Sequence, residues 1–367
     1  MFLLTSVFHR VTFSVVAILL LYFIFMDTLL YSRVHKYSIK PNDNKPQYEG
    51  IIPCSFDPLC VVTVKGLMLD HPNYYLLGPL AAIVNQAFGI SDCKWISPNL
   101  ISGFHVLVAI AAGKCASSDS LSQRRLAVLL FEIRTWLDDL DGHVARKRKH
   151  IDGEHSDVGS VGYFVDGICD ALGCIALMIG IFCYFQKNPP GRGYEKLNNV
   201  IPFVESRDVD PETIYKRRRS RNVIGTVILF VGYLLVSSVG WNRYISLYQD
   251  LLETDTSSSS ITKDELLFRQ AKVMQSSSFW AMSIAWKLVN FHIAVDCMLL
   301  AMFLDRLWEY MRTLRWLGYI VVLVVVYFTE FHFLESYAFV HGSASVPTFE
   351  FTSTDTMPIW NETNIQR

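Results

Sequence analysis

Runs of about twenty apolar residues, enough to cross a hydrocarbon layer of about 30 Å, recur along this chain. Within 367 residues there are seven candidates, 11–31, 99–114, 122–138, 161–186, 222–241, 278–304 and 315–334, of which the second and third are short. A chain built this way is restricted to helices that satisfy their own backbone hydrogen bonds inside the membrane. The composition agrees, with 51% hydrophobic and only 18% charged residues. These values exclude an ordinary soluble globule and predict an all-α polytopic membrane protein. A net charge of −1 gives no footprint for a nucleic-acid partner.

A weaker apolar stretch at 74–90 contains Gly78 and Pro79, and reads as an interfacial or re-entrant piece rather than a span. The first stretch follows Arg10 and lacks small residues at cleavage spacing, so it reads as an uncleaved anchor with a cytosolic N-terminus. Counting spans then puts the basic KRRRSR run at 216–221 in the cytosol, as the positive-inside tendency asks. The same count puts Cys54, Cys60, Cys93 and the Asn361-Glu-Thr363 sequon on the opposite, lumenal side. Disulfides and N-glycans both form there. The cysteines fit either a Cys54–Cys60 bridge or free thiols.

Acidic residues interrupt the third and fourth stretches. At about 100° per residue, Arg134, Asp138, Asp141 and Ala145 share one helical stripe, and so do Gly162, Asp166, Asp170 and Gly173 in the next span. Ionised groups inside membrane segments are costly and usually functional. Four converging carboxylates repel one another unless a cation joins them, and oxygen donors suit Mg²⁺ or Mn²⁺. A pair of such ions is a known device for phosphoryl displacement. Asp139, off the stripe, reads as a solvated acid at a helix end.

The pattern D-x2-D-G-x2-A-R, a gap, then G-x3-D-x3-D resembles the signature of the CDP-alcohol phosphotransferases. Here it comprises Asp138, Asp141, Gly142, Ala145 and Arg146, then Gly162, Asp166 and Asp170, and the SPNLIS string at 97–102 is similar to the start of that family's first core helix. The resemblance covers about 95–335. It implies a six-helix core preceded by one extra N-terminal transmembrane helix. The expected organisation is an anchor at 1–31, a lumenal loop with an interfacial segment at 32–94, the core at 95–335 and a lumenal tail at 336–367.

The resemblance also implies a reaction and its residues. Asp138, Asp141, Asp166 and Asp170 would hold Mn²⁺ or Mg²⁺ in a two-metal site, and Asp170 would alternatively serve as the catalytic base. Gly142 and Ala145 would make room for the CDP-alcohol, and Arg146 would reach its phosphate as a bidentate donor. The preceding anchor turns the core over, so the site is expected to face the lumen. Among family members the likeness is greatest to the lumen-facing insect enzymes that act on a sphingolipid. This implies CDP-ethanolamine as donor, ceramide as acceptor, CMP as product and a Golgi membrane, with the endoplasmic reticulum as the alternative. The oligomeric state, homo-oligomer included, stays open.

Between Arg146 and Gly162 lie fifteen residues, KRKHIDGEHSDVGSV, more than the family pattern usually has. They read as a solvated loop, with His150, Asp152, Glu154, His155 and Asp157 as candidates for an added metal or substrate contact and the KRK at 147–149 as attraction for phosphate. Lys287, His292, Asp296, Glu330, His332 and Glu335 read either as acceptor contacts or as interhelical pairs, and Trp280, Trp286, Trp308 and Trp316 as membrane-interface anchors. Two rival functions stay open. One is an ethanolamine or cholinephosphotransferase acting on diacylglycerol, with a cytosolic site. The other is an ion-coupled transporter or non-catalytic protein, which has no need of Gly142, Ala145 and Arg146 at fixed offsets.

Overall fold

The computed structural model describes residues 2–40, 45–155, 159–188, 211–254 and 261–342, with side chains from 10 onward in the first segment and from 220 in the fourth. The sequon at Asn361, Asp157, residues 255–260 of the serine-rich loop and most of the C-terminal tail lie outside this set. The described residues are helical and contain no strand, as expected of an all-α polytopic membrane protein.

The long helices are α1 (Phe2–Lys36), α4 (Pro98–Ala116), α5 (Leu121–Arg148), α6 (Val161–Lys187), α7 (Pro211–Leu252) and α11 (Leu307–Val340). Shorter ones are α2 (Val64–Met68), α3 (Gly78–Phe88), α8 (Lys263–Gln275), α9 (Ser277–Val289) and α10 (Phe291–Phe303). Five helices among the described residues are long and apolar enough to cross a membrane, or six if α9 and α10, bent by 40°, form one broken span. The bend falls at Asn290, which ends α9 and whose side chain accepts from the Ile293 N–H at 3.0 Å to start α10. The mostly apolar run at 278–304 hid it.

α5 is too charged to pass as apolar, and its charges are handled inside the bundle. Buried Arg124 pairs with Asp305 at 2.6 Å, and buried Arg134 with Asp170. A four-residue turn joins α4 to α5, so the two run antiparallel, and α6 packs on α4. The α4–α6 crossing is made of glycines. A Cβ on Gly113 would collide with the Ala176 carbonyl, and one on Gly180 with the Gly113 backbone. Small residues let membrane helices approach to backbone contact.

The 74–90 stretch forms a five-residue π-turn at Asn73–Leu77 and the eleven-residue α3, too short to span. Exposed Phe13, Ile18, Ile24, Leu323 and Phe328 give α1 and α11 the apolar outer faces that a bilayer would cover. Two tryptophans are misread as interface anchors by their position near span ends. Trp280 is buried, and Trp286 is fully enclosed, donating to the Thr329 hydroxyl at 2.9 Å.

Candidate active site

α4 begins where Ser97 accepts from the Leu100 N–H and Pro98 takes the first turn, a start that needs no N–H from the proline. This fixes Ser102 and His105 on the face turned toward α5. Ser102 donates to Asp141 Oδ2 at 2.6 Å. His105 Nε2 lies 3.5 Å from Asp138 Oδ1 and 3.9 Å from Asp141 Oδ2. α6 begins where Ser160 accepts from the Tyr163 N–H at 3.1 Å, and this start directs Asp166 and Asp170 toward the same place.

Asp138, Asp166, Asp170 and His105 each offer a ligand atom, and the four atoms lie within 4.8 Å of one another. The two stripes of the sequence thus converge. Asp141 stands beside this group rather than in it, held by Ser102. Asp170 accepts from Arg134, so a cation does serve one of the four carboxylates.

His105 has no place in the sequence pattern, yet its side chain is fully enclosed and neither ring nitrogen has a hydrogen-bond partner among the described residues. Its signal in the sequence was faint: an ionisable residue midway along a helix that is otherwise mostly small and apolar until Lys114 in its last turn. Asp138 Oδ1 and Asp166 Oδ1 are likewise buried without a partner. Asp139, expected in solvent, has an Oδ2 that is also buried and unpartnered.

These groups open into a cavity of about 1300 Å³. Gly142, Ala145 and Arg146 line it beside Asp138, Asp141, Asp166 and Asp170. Part of its wall is apolar, where Ile175, Met178 and Phe182 from α6 face Val227, Val231 and Leu235 from α7. A Cβ on Gly142 would meet only the Arg146 guanidinium, so the helix surface there is open to a ligand.

Basic and loop residues depart from the solvated reading. Arg148 donates to the carbonyls of Ser91, Cys93 and Ile96 at 2.7–3.0 Å, and so fastens the turn before α4. Arg146 donates to Glu154 at 2.6 Å, and His155 Nδ1 lies 3.1 Å from Glu253. Burial pushes the Glu154 carboxyl up, but Arg146 and Lys65 outweigh it and hold it below the usual carboxylate value. His155 moves the other way, raised above its usual value by its hydrogen bond to Glu253. His150 and Asp152 stay exposed.

Of the side chains read as acceptor contacts or pairs, Lys287 pairs with Asp27 at 2.6 Å, Glu330 with Arg243 at 3.1 Å, and His332 with the Tyr248 hydroxyl at 2.6 Å. His292 alone among them lines the cavity.

A family model described as ceramide phosphoethanolamine synthase matches residues 2–343. The chain belongs to that family. It is therefore a transferase among the multi-pass membrane proteins of lipid synthesis. A Drosophila melanogaster relative, ceramide phosphoethanolamine synthase, is 40% identical over 391 residues, covering 93% of this chain and 97% of the relative. No solved structure matches.

Proposed function

We propose that this chain transfers phosphoethanolamine from CDP-ethanolamine to the primary hydroxyl of ceramide, giving ceramide phosphoethanolamine and CMP. The observation that carries the reading is the convergence of Asp138, Asp166 and Asp170 with His105 in a cavity that also has an apolar wall between α6 and α7. The name of the 40% identical relative supports the acceptor and the product.

The donor set fits a divalent cation. Carboxylate oxygens and an imidazole nitrogen that are buried, mutually close and without protein partners are stabilised together by a positive ion and by little else. Asp138, Asp166 and His105 would hold it, with Asp141 as a further oxygen and Asp170, paired with Arg134, beside them. When bound, Mn²⁺ or Mg²⁺ supplies neutralisation of the charge that builds on the diphosphate as CMP leaves.

The protein's own groups do the rest. Arg146 binds phosphate oxygens, and Gly142 and Ala145 let the nucleotide lie against α5. The apolar walls of α6 and α7 hold the acceptor's chains and exclude water. Asp170, oriented by Arg134, takes the proton of the acceptor hydroxyl as its oxygen bonds to phosphorus and the phosphorus–oxygen bond to CMP breaks. The catalytic unit is the core at 95–335, with α1 as its anchor.

The site faces the lumen of the Golgi in this reading. It shares one end of the bundle with the 45–97 segment, where Cys54 and Cys60 are bridged, and such bridges persist in oxidising compartments. A glycan on Asn361 is the expected mark of that orientation, and a cytosolic tail would contradict it.

Purified protein supplied with CDP-ethanolamine or CDP-choline, each with ceramide or diacylglycerol, tests the assignment. Product is expected only from CDP-ethanolamine with ceramide. A diacylglycerol product in preference would overturn the acceptor, and release of CMP unaffected by Asp170→Ala would overturn the mechanism.

A further inference from the structure

The loop after α5 does more than connect. It turns at His150 and Gly153, both at positive φ (55° and 81°), and lies on the segment before α2, where a Cβ on Gly153 would come within 2.7 Å of Val61 Cγ1. Two independent ties hold its backbone. The Thr63 hydroxyl donates to the Glu154 carbonyl at 2.7 Å. His155 meets Glu253, which also accepts from the Val64 N–H at 2.6 Å.

With the backbone so held, the Glu154 side chain is free to choose its partners, and it reaches two cations. Oε1 accepts from Arg146 at 2.6 Å and Oε2 lies 3.9 Å from Lys65 Nζ. All three side chains line the cavity that contains the aspartates. Two positive charges converge on one carboxylate. The oxygens of a diphosphate supply more charge and more acceptors than that carboxylate.

We propose that Lys65 and Arg146 form a cation pair for the diphosphate of the donor, and that Glu154 holds their place until the donor displaces it. The proposal rests on the reading of this cavity as a CDP-alcohol site. It brings a residue from outside the 95–335 core into the site. It also explains the enlarged loop, which carries the stand-in carboxylate while Thr63 and Glu253 keep its backbone in position. An ion pair made only for stability behaves differently, since removing either partner weakens it.

Equilibrium binding of CDP, and of cytidine, to the purified full-length protein with Mg²⁺ present tests this in four forms: the unaltered chain, Lys65→Met, Lys65→Arg and Glu154→Gln. The expected result is about tenfold or greater weakening of CDP in Lys65→Met, near-normal binding in Lys65→Arg, and tightening by a few fold in Glu154→Gln, all with cytidine unchanged. Unchanged CDP binding in Lys65→Met would overturn the proposal. So would equal weakening of CDP in Lys65→Met and Glu154→Gln, or a parallel loss of cytidine. Failure of the unaltered chain to bind CDP would instead overturn the reading of the cavity on which the proposal stands.

Discussion

A buried imidazole with neither nitrogen partnered is costly, and at His105 the carboxylates of Asp138 and Asp141 lie 3.5 and 3.9 Å away. Residues like this one escaped the sequence. Asp138, Asp141, Asp166 and Asp170 announce themselves through helical spacing, which is local and repeated. His105 belongs with them only because α4 and α5 run antiparallel, a relation that no spacing within one helix encodes. Ser102 is the same kind of residue, since its single contact with Asp141 orients a carboxylate of the site. Outer partners of this type typically contribute about 10–100-fold in metal affinity. Ser102→Ala is therefore expected to raise the Mn²⁺ concentration giving half-maximal activity by about that factor, while thermal unfolding of the purified protein stays near that of the parent. A metal requirement left unchanged would remove Asp141 from the site.

Elements hold those residues in register by close approach rather than by bulk. The crossing of α4 and α6 at Gly113 and Gly180 leaves no room for a side chain. Gly180→Leu should drive the helices apart, lower the unfolding temperature and abolish activity, whereas the same change at Gly225, where a Cβ meets nothing within 4 Å, should be tolerated. The clasp of the 149–155 loop has a pH sign. His155 is raised above its usual value near 6.5 by Glu253, so its stabilising contribution is complete below that value and fades as pH rises through the raised one. Proteolysis of this loop in the native protein should accordingly quicken above neutral pH, and a His155→Ala variant should lose that dependence. The short reach of sequence patterns shows here too. The apolar run from 278 to 304 reads as one span because hydropathy carries no signal for a bend, although Asn290, a favoured helix-start residue, stands at the break. Trp280 and Trp286 likewise read as surface anchors because a span end looks alike whether lipid or protein covers it.

At the scale of the whole molecule, α1 is more than a tether. Asp27, within its apolar run, accepts from Lys287 on α9 at 2.6 Å and from the Tyr75 hydroxyl at 2.7 Å, and pairs with His71 at 2.7 Å. Breaking a buried pair on one side leaves an unmatched charge and costs about 3–5 kcal/mol, while replacing both partners with apolar residues is often nearly neutral. Lys287→Met should therefore destabilise the protein sharply, and Asp27→Leu with Lys287→Met should recover part of the loss, since Tyr75 and His71 then lose their acceptor, both read as thermal unfolding in detergent. The pairing links three regions far apart in sequence, which is why span counting placed α1 in the membrane but could not place it against the core. The same one-ended arrangement gathers the 45–97 segment, the 149–155 loop and the end of α7 around the site. In the proposed function, the acidic cluster acts only with a bound cation. The most direct measurement of that dependence is product formation from CDP-ethanolamine and ceramide by chelator-stripped protein as Mn²⁺ is added back, for the unaltered chain and for Asp166→Asn. Activity should be absent without metal and return as Mn²⁺ binds in the unaltered chain, and Asp166→Asn should stay at least about a hundredfold lower at saturating Mn²⁺. Full activity in the stripped protein, or in Asp166→Asn, would contradict it.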